Sequence, residues 1–126
     1  MIGESFMRDG ILAVIGTRPE AIKMCPLILE LGRRGVRVSL CVTGQHRELA
    51  DSVLGLFGVS ADYDLDVMRP GQSLGGVTAA MLCGMERVLD EASPGLVLVH
   101  GDTATTLAAA LACFYRGIPV GHVEAG

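Results

Sequence analysis

The chain has 126 residues, half of them hydrophobic and 4% aromatic, with a formal net charge of −4. That is enough chain for one domain around one core. Its acidic balance argues against a general nucleic-acid binder but leaves room for an anionic small molecule held by local arginines and helix N-termini. The first ten residues, MIGESFMRDG, read as a loose leader with an alternative start at Met7, and residues 11–126 as the structured part. "ILAVIG" (11–16) is a buried-strand pattern. "TRPE" follows, with Thr17 placed to cap a helix and Glu20, three residues on, to complete a capping box. Ile22, Cys25, Ile28 and Leu31 recur at helical spacing. Pro26 removes a backbone donor inside that helix, which predicts a bend or a widened turn, and Gly35 marks its end.

"VRVSLCVTG" (36–44) is the second strand, and residues 47–57 the second helix, with Leu49, Val53 and Phe57 on one face and Gly58 as its C-terminal cap. "DYDL" (62–65) is a short third strand. After the loop "MRPGQS", Ser73 caps a long helix with the stripe Leu74, Val77, Met81, Met85 and Val88, which reads as core. "GLVLVHG" (95–101) is the fourth strand, residues 103–116 an Ala-rich helix closed by Gly117, and "IPVGHVEAG" the fifth strand and its exit.

Strands alternating with helices predict an α/β domain: a doubly wound Rossmann-like parallel sheet of about five strands in the order 3-2-1-4-5. No apolar run is long enough to span a membrane, and the N-terminus lacks an apolar signal core. Cys25, Cys41, Cys83 and Cys113 lie far apart, without metal-ligand spacing and in apolar stretches. They are expected to be buried free thiols, which suits a reducing cytoplasm.

Ligands of such sheets bind at the carboxyl ends of the strands, where the strand order reverses. Polar residues collect at the predicted exits: Gly16-Thr17-Arg18, Thr43-Gly44-Gln45-His46, His100-Gly101-Asp102-Thr103, and His122 with Glu124. Arg18 beside a helix N-terminus is suited to an anion, because exposed N–H groups and a planar guanidinium both match phosphate. The plainer reading makes Thr17 and Glu20 a cap and Arg18 a solvated side chain. Asp102 and Thr103 could likewise serve only as helix caps. Glu124 has no capping duty of that kind. His46 and His122 read as polar rim residues rather than acid–base groups. The chain lacks G-x-G-x-x-G, G-x-x-x-x-G-K-[ST] and G-x-S-x-G, which argues against a nicotinamide enzyme, a P-loop nucleotidase and a nucleophile-elbow hydrolase.

"GTRPEAIKM", "VTGQHRE", "DYDL" and "VLVHGDTATTLAAALACFYRGIPVGHVEAG" together resemble the bacterial, non-hydrolysing UDP-N-acetylglucosamine 2-epimerase family. The resemblance runs from about Ile11 to Gly126. It implies two Rossmann-like domains facing across a cleft, the GT-B arrangement, of which this chain would hold the first part of the N-terminal domain and lack the second. The implied reaction interconverts UDP-GlcNAc and UDP-ManNAc by eliminating UDP and adding it back, with no cofactor. By motif, Asp102 and Glu124 match catalytic carboxylates, and Arg18 and Lys23 match residues near the nucleotide phosphates. Gln45, His46 and Gln72 match a regulatory site for a second substrate molecule. Glu48 and Gly71 depart from that pattern, and losing a cation opposite a diphosphate weakens it. A role in cell-envelope polysaccharide synthesis, a cytoplasmic location, a homodimer and no nucleic-acid or membrane partner are further implications. A chain of this length alone is expected to be inactive. The alternatives are another UDP-sugar-using GT-B glycosyltransferase, or a non-catalytic α/β module that associates through an open sheet edge.

Overall fold

The computed structural model describes residues 9–44 and 47–124, the side chains of 47, 49 and 50 excepted. The elements in chain order are β1 (Ile11–Ile15), α1 (Arg18–Arg33), β2 (Val38–Val42), α2 (Arg47–Phe57), β3 (Tyr63–Asp64), α3 (Leu74–Ala92), β4 (Leu96–His100), α4 (Ala104–Arg116) and β5 (Val120–Val123). All strand pairings are parallel and the sheet order is β3-β2-β1-β4-β5. This is the doubly wound order expected from the sequence.

Side chains alternate across a strand, so a sheet covered on both faces has apolar residues at every position. β1 does this: all five of its residues are buried. Ile11, Ala13 and Ile15 point to one face with Leu40, Val42 and Leu98, and pack against Ala21, Met24, Cys25 and Ile28 of α1 and Val53 and Leu54 of α2. Leu12, Val14, Cys41, Val97 and Val99 point to the other face, against Met85, Val88 and Leu89 of α3 and Ala109, Ala112 and Cys113 of α4. The result is a three-layer sandwich with β1 at its centre.

Several local expectations need correction. Leu74 is not part of the α3 core stripe: it is 90% exposed, while Val77, Met81, Met85 and Val88 are buried. It sits at the first helical position, beyond the reach of the sheet. Ile22 is likewise exposed rather than buried. The helix α1 runs through Pro26 as one element rather than opening into a widened turn. Both Pro26 and Ile22, whose carbonyl loses its donor, are on the exposed side, so water can serve that carbonyl. The first-turn box differs too. Thr17 makes no side-chain cap bond. Instead Glu20 Oε1 accepts from the Gly16 amide at 3.0 Å and Glu20 Oε2 accepts from the Thr17 hydroxyl at 2.7 Å. Ser73, by contrast, caps α3 as expected, accepting from the Gly76 amide at 3.0 Å.

The helices α3 and α4 are tied at the surface by Arg116. Its Nε and Nη2 reach both oxygens of Asp90 at 2.9 and 3.0 Å, and Nη1 reaches Glu86 at 3.3 Å. The guanidinium fork holds the Asp90 carboxyl below its ordinary value. No helix among the described residues is long and apolar enough to cross a membrane.

Cys83 is exposed, against the expectation that all four thiols are buried; Cys25, Cys41 and Cys113 are buried. Position 83 falls on the outward face of α3, between the buried Met81 and Met85. Burial pushes the Cys41 thiol up to about 12, with Asp64 adding to it, and the Cys113 thiol up to about 11. Native protein treated with a maleimide is expected to take up one label, at Cys83, with three more appearing only on denaturation. Mass spectrometry of the intact protein before and after urea checks this.

The Glu20 carboxylate is 2% exposed, and its contacts to Gly16 and Thr17 close the turn between β1 and α1. Glu20→Ala leaves a buried amide without an acceptor, and is expected to lower stability by about 1–3 kcal/mol in urea unfolding.

Candidate functional site at the carboxyl edge of the sheet

The site begins at the place where the chain reverses. β1 pairs with β2 on one side and with β4 on the other, so connections leave the two sides of β1 in opposite directions and open a crevice above its end. The floor of that crevice is Gly16. A Cβ there would stand 2.2 Å from the Thr105 hydroxyl and 2.6 Å from the Thr43 hydroxyl, both far inside van der Waals contact. Only glycine lets the exits of β1 and β2 and the first turn of α4 meet this closely. The two hydroxyls lie 3.3 Å apart, buried beneath it.

Two helix N-termini therefore converge beside Gly16. α1 begins at Arg18, which is exposed and has no partner among the described residues. α4 begins at Ala104, and its N-cap residue Thr103 makes no side-chain cap bond. The Thr103 hydroxyl is buried with no partner among the described residues. Asp102 is exposed, and it too has no hydrogen-bond partner among them. Neither residue thus does the capping work that would account for "GDT" structurally. Unsatisfied amides at the first turn of a helix attract anions.

Glu124 follows directly on β5, in the left-handed region with φ +54°. A non-glycine residue adopts that conformation at some cost, so the contacts of its side chain matter. One carboxylate oxygen meets the Lys23 ammonium at 3.2 Å, and the other accepts from His100 Nε2 at 2.7 Å. The Lys23 ammonium first, and the His100 ring second, hold the Glu124 carboxyl below the ordinary glutamate value. It is therefore ionised at neutral pH. Lys23 comes from α1, His100 from the last position of β4, and Glu124 from the exit of β5: three elements, one cluster.

The remaining predicted residues fall elsewhere. Gln72 braces the loop before α3: its Oε1 accepts from the Arg69 amide at 2.6 Å, and its Nε2 donates to the Val67 carbonyl at 2.8 Å. Gln45 and His46 lie outside the described residues. His122 is an exposed rim residue, with Nε2 donating to the Gly101 carbonyl at 2.5 Å. Asp102, Thr103, Thr106, Leu107, Val120 and His122 line a groove of about 310 Å³ between α4 and β5. A more polar cleft of about 240 Å³, with Arg37, Tyr63 and Glu91, opens at the amino edge, away from the strand exits.

Sequence reasoning placed His100 at the exit of the fourth strand but gave it no role. The signal lay in strand parity: Leu96, Leu98 and His100 share one face, the α1 face, so a histidine closing that series points toward the helix that carries Lys23.

Residues 30–126 match the protein family described as UDP-N-acetylglucosamine 2-epimerase. A UDP-N-acetylglucosamine 2-epimerase of Yersinia pestis is 58% identical over 117 residues, covering 92% of this chain and 31% of its own length. The enzyme of that name from Escherichia coli K12 is 56% identical over the same number of residues, with the same coverage of both chains. A crystal structure of the UDP-GlcNAc 2-epimerase from Neisseria meningitidis bound to UDP-GlcNAc superposes with a TM-score of 0.87 at 54% identity, covering 93% of this chain and 32% of the other. The chain thus spans about a third of the length of the relatives it matches.

The ion pairs of Glu124 have a pH signature. A carboxyl whose value is depressed by folding contributes stability above its unfolded value, here near 4.5, and loses it as pH falls through the folded value. Wild-type protein is expected to be more stable than Glu124→Gln at neutral pH, with the difference closing on acidification below about pH 4.5. Paired urea titrations across that range check the sign.

Proposed function

Because this chain belongs to the UDP-N-acetylglucosamine 2-epimerase family, we propose that it is the first part of an enzyme interconverting UDP-N-acetylglucosamine and UDP-N-acetylmannosamine. Its carboxyl edge would supply one wall of a GT-B cleft, and a second domain the other. The observation that carries this reading is the cluster at the β1/β4 switch point, where two carboxylates, two cations and two helix N-termini meet at one sheet edge.

The chemistry asks for those groups. Epimerisation at C2 through UDP elimination removes the C2 proton while the C1–oxygen bond to UDP breaks, leaving a 2-acetamidoglucal. Return of UDP to C1 on the face it left, with a proton delivered to C2 from the opposite face, completes the exchange. A positioned carboxylate must take the proton. Glu124, ionised and fixed between two partners, and Asp102, exposed and uncommitted, are the two carboxylates we assign to this work. The departing diphosphate gathers negative charge, which Arg18, Lys23 and the uncapped first turn of α4 are placed to meet. No cofactor enters this scheme.

The whole activity needs more chain than the 126 residues here, since the relatives are about three times as long. A nucleotide sugar as substrate suits the reducing cytoplasm we infer from the thiols, and a role in cell-envelope polysaccharide synthesis. The apolar side chains of Leu107, Phe114 and Tyr115, exposed on α4, with the open edge of β5, suit association with a second copy or with further chain. A glycosyltransferase on the same fold is disfavoured by relatives at more than half identity that carry the epimerase name.

The test is a chimera in which residues 10–126 replace the matching segment of the E. coli relative. The chimera is expected to interconvert the two UDP-sugars, with exchange of the sugar C2 proton followed by NMR in deuterated water. Asp102→Asn and Glu124→Gln in it are each expected to lower kcat by about 100-fold or more. The 126-residue chain alone is expected to show no turnover, because half the binding wall is supplied by other residues. A folded chimera that releases UDP only when an acceptor is added would overturn the reading.

A further inference from the structure

We propose that His100 is the positioning residue that sets the orientation of the Glu124 carboxylate for proton transfer, a role that rests on the epimerase reading above. The two contacts to the Glu124 carboxylate are unequal in character. Lys23 is an exposed lysine on a flexible stem, more than half accessible, and it is also a group we assign to the diphosphate. His100 is 7% exposed and closes β4. Its carbonyl accepts from the buried Thr106 hydroxyl at 2.7 Å, and its strand neighbour is Val123, the residue before Glu124. When an anion draws Lys23 away, one carboxylate oxygen is released and the other stays on the ring.

The ring's own chemistry supports this. Its Nδ1 is buried with no partner among the described residues, while Nε2 faces a carboxylate. A proton on Nδ1 would be buried without an acceptor and would leave two lone pairs opposed at Nε2. The neutral tautomer that carries its hydrogen on Nε2 avoids both. His100 therefore acts as a fixed donor to one oxygen of Glu124, and the left-handed backbone at Glu124 is held in place partly by that bond. The charged or titratable groups facing the carboxylate are Lys23 from α1 and His100 from β4; Asp102 and His122 stand at the same edge.

His100→Gln keeps an amide N–H near the Nε2 position, whereas His100→Leu removes it. In the chimera, His100→Leu is expected to lower kcat about 10- to 100-fold with KM little changed. It should also move the acid limb of the kcat profile to higher pH, because a lost donor raises the carboxyl value. His100→Gln is expected to restore both most of the way. A second arm uses the 126-residue chain, in which ¹³C NMR follows the Glu124 carboxyl and is expected to show the same upward shift in His100→Leu and its reversal in His100→Gln. If His100→Leu leaves the carboxyl titration and the kcat profile where they were, or Gln fails to rescue, His100 has no positioning role. If the unsubstituted chimera is inactive but the carboxyl titration shifts as stated, the epimerase reading falls and the contact stands.

Discussion

The parallel pairing of β1 with both β2 and β4 is the constraint on which everything at the carboxyl edge depends. It puts the exit of β1 in the middle of the sheet, between the exits of β2 and β4, and it sends α1 and α4 to opposite faces from adjacent strands. Their first turns then come back to the same point. Gly16 is what makes that meeting close enough, with the Thr43 and Thr105 hydroxyls standing where a side chain would go. Glu20 completes the corner from below by accepting from both Gly16 and Thr17. A buried carboxylate here serves the backbone, so that the exposed groups one turn away are free for a ligand.

Order on the strands and order of the strands were legible for the same reason. Apolar runs of about five residues between turn residues, alternating with helical stretches, suit a parallel sheet covered on both faces, and that sheet with this chain length has few topologies. The helix ends were also readable where a side chain does the capping, as with Ser73. What was not legible was the use made of a residue once elsewhere in the fold. Leu74 and Ile22 fit their helical stripes by spacing, yet Leu74 sits at the very first helical position and Ile22 lies to one side of the buried face formed by Ala21, Met24, Cys25 and Ile28. Glu20 was expected to bond the N-cap amide and bonds the residue before it. Cys83 sits in an apolar stretch, but spacing alone does not say which side of α3 is covered.

The site shows the same division. Asp102, Glu124 and Arg18 could be named by motif and by position at a strand exit, and Lys23 by motif alone. That Lys23 and Glu124 share an ion pair depends on the start of α1, packed over β1, coming beside the exit of β5, which is tertiary information. His100 belongs to both categories: parity was enough to put it on the α1 face, though the sequence reading did not use it, and its value as a fixed donor follows only from seeing Glu124 turn back over the sheet at positive φ.

The cluster at Glu124 joins a residue from the first helix to one at the end of the last strand, across almost the full length of the chain. Contacts of that separation carry the closure entropy of the chain between them, which the packed sheet must offset. The carboxylate therefore acquires its partners only when the sheet is complete through β5. A partly folded chain carries the same side chains, but not the arrangement that tunes them, so the acid–base character of this edge arises together with the finished fold.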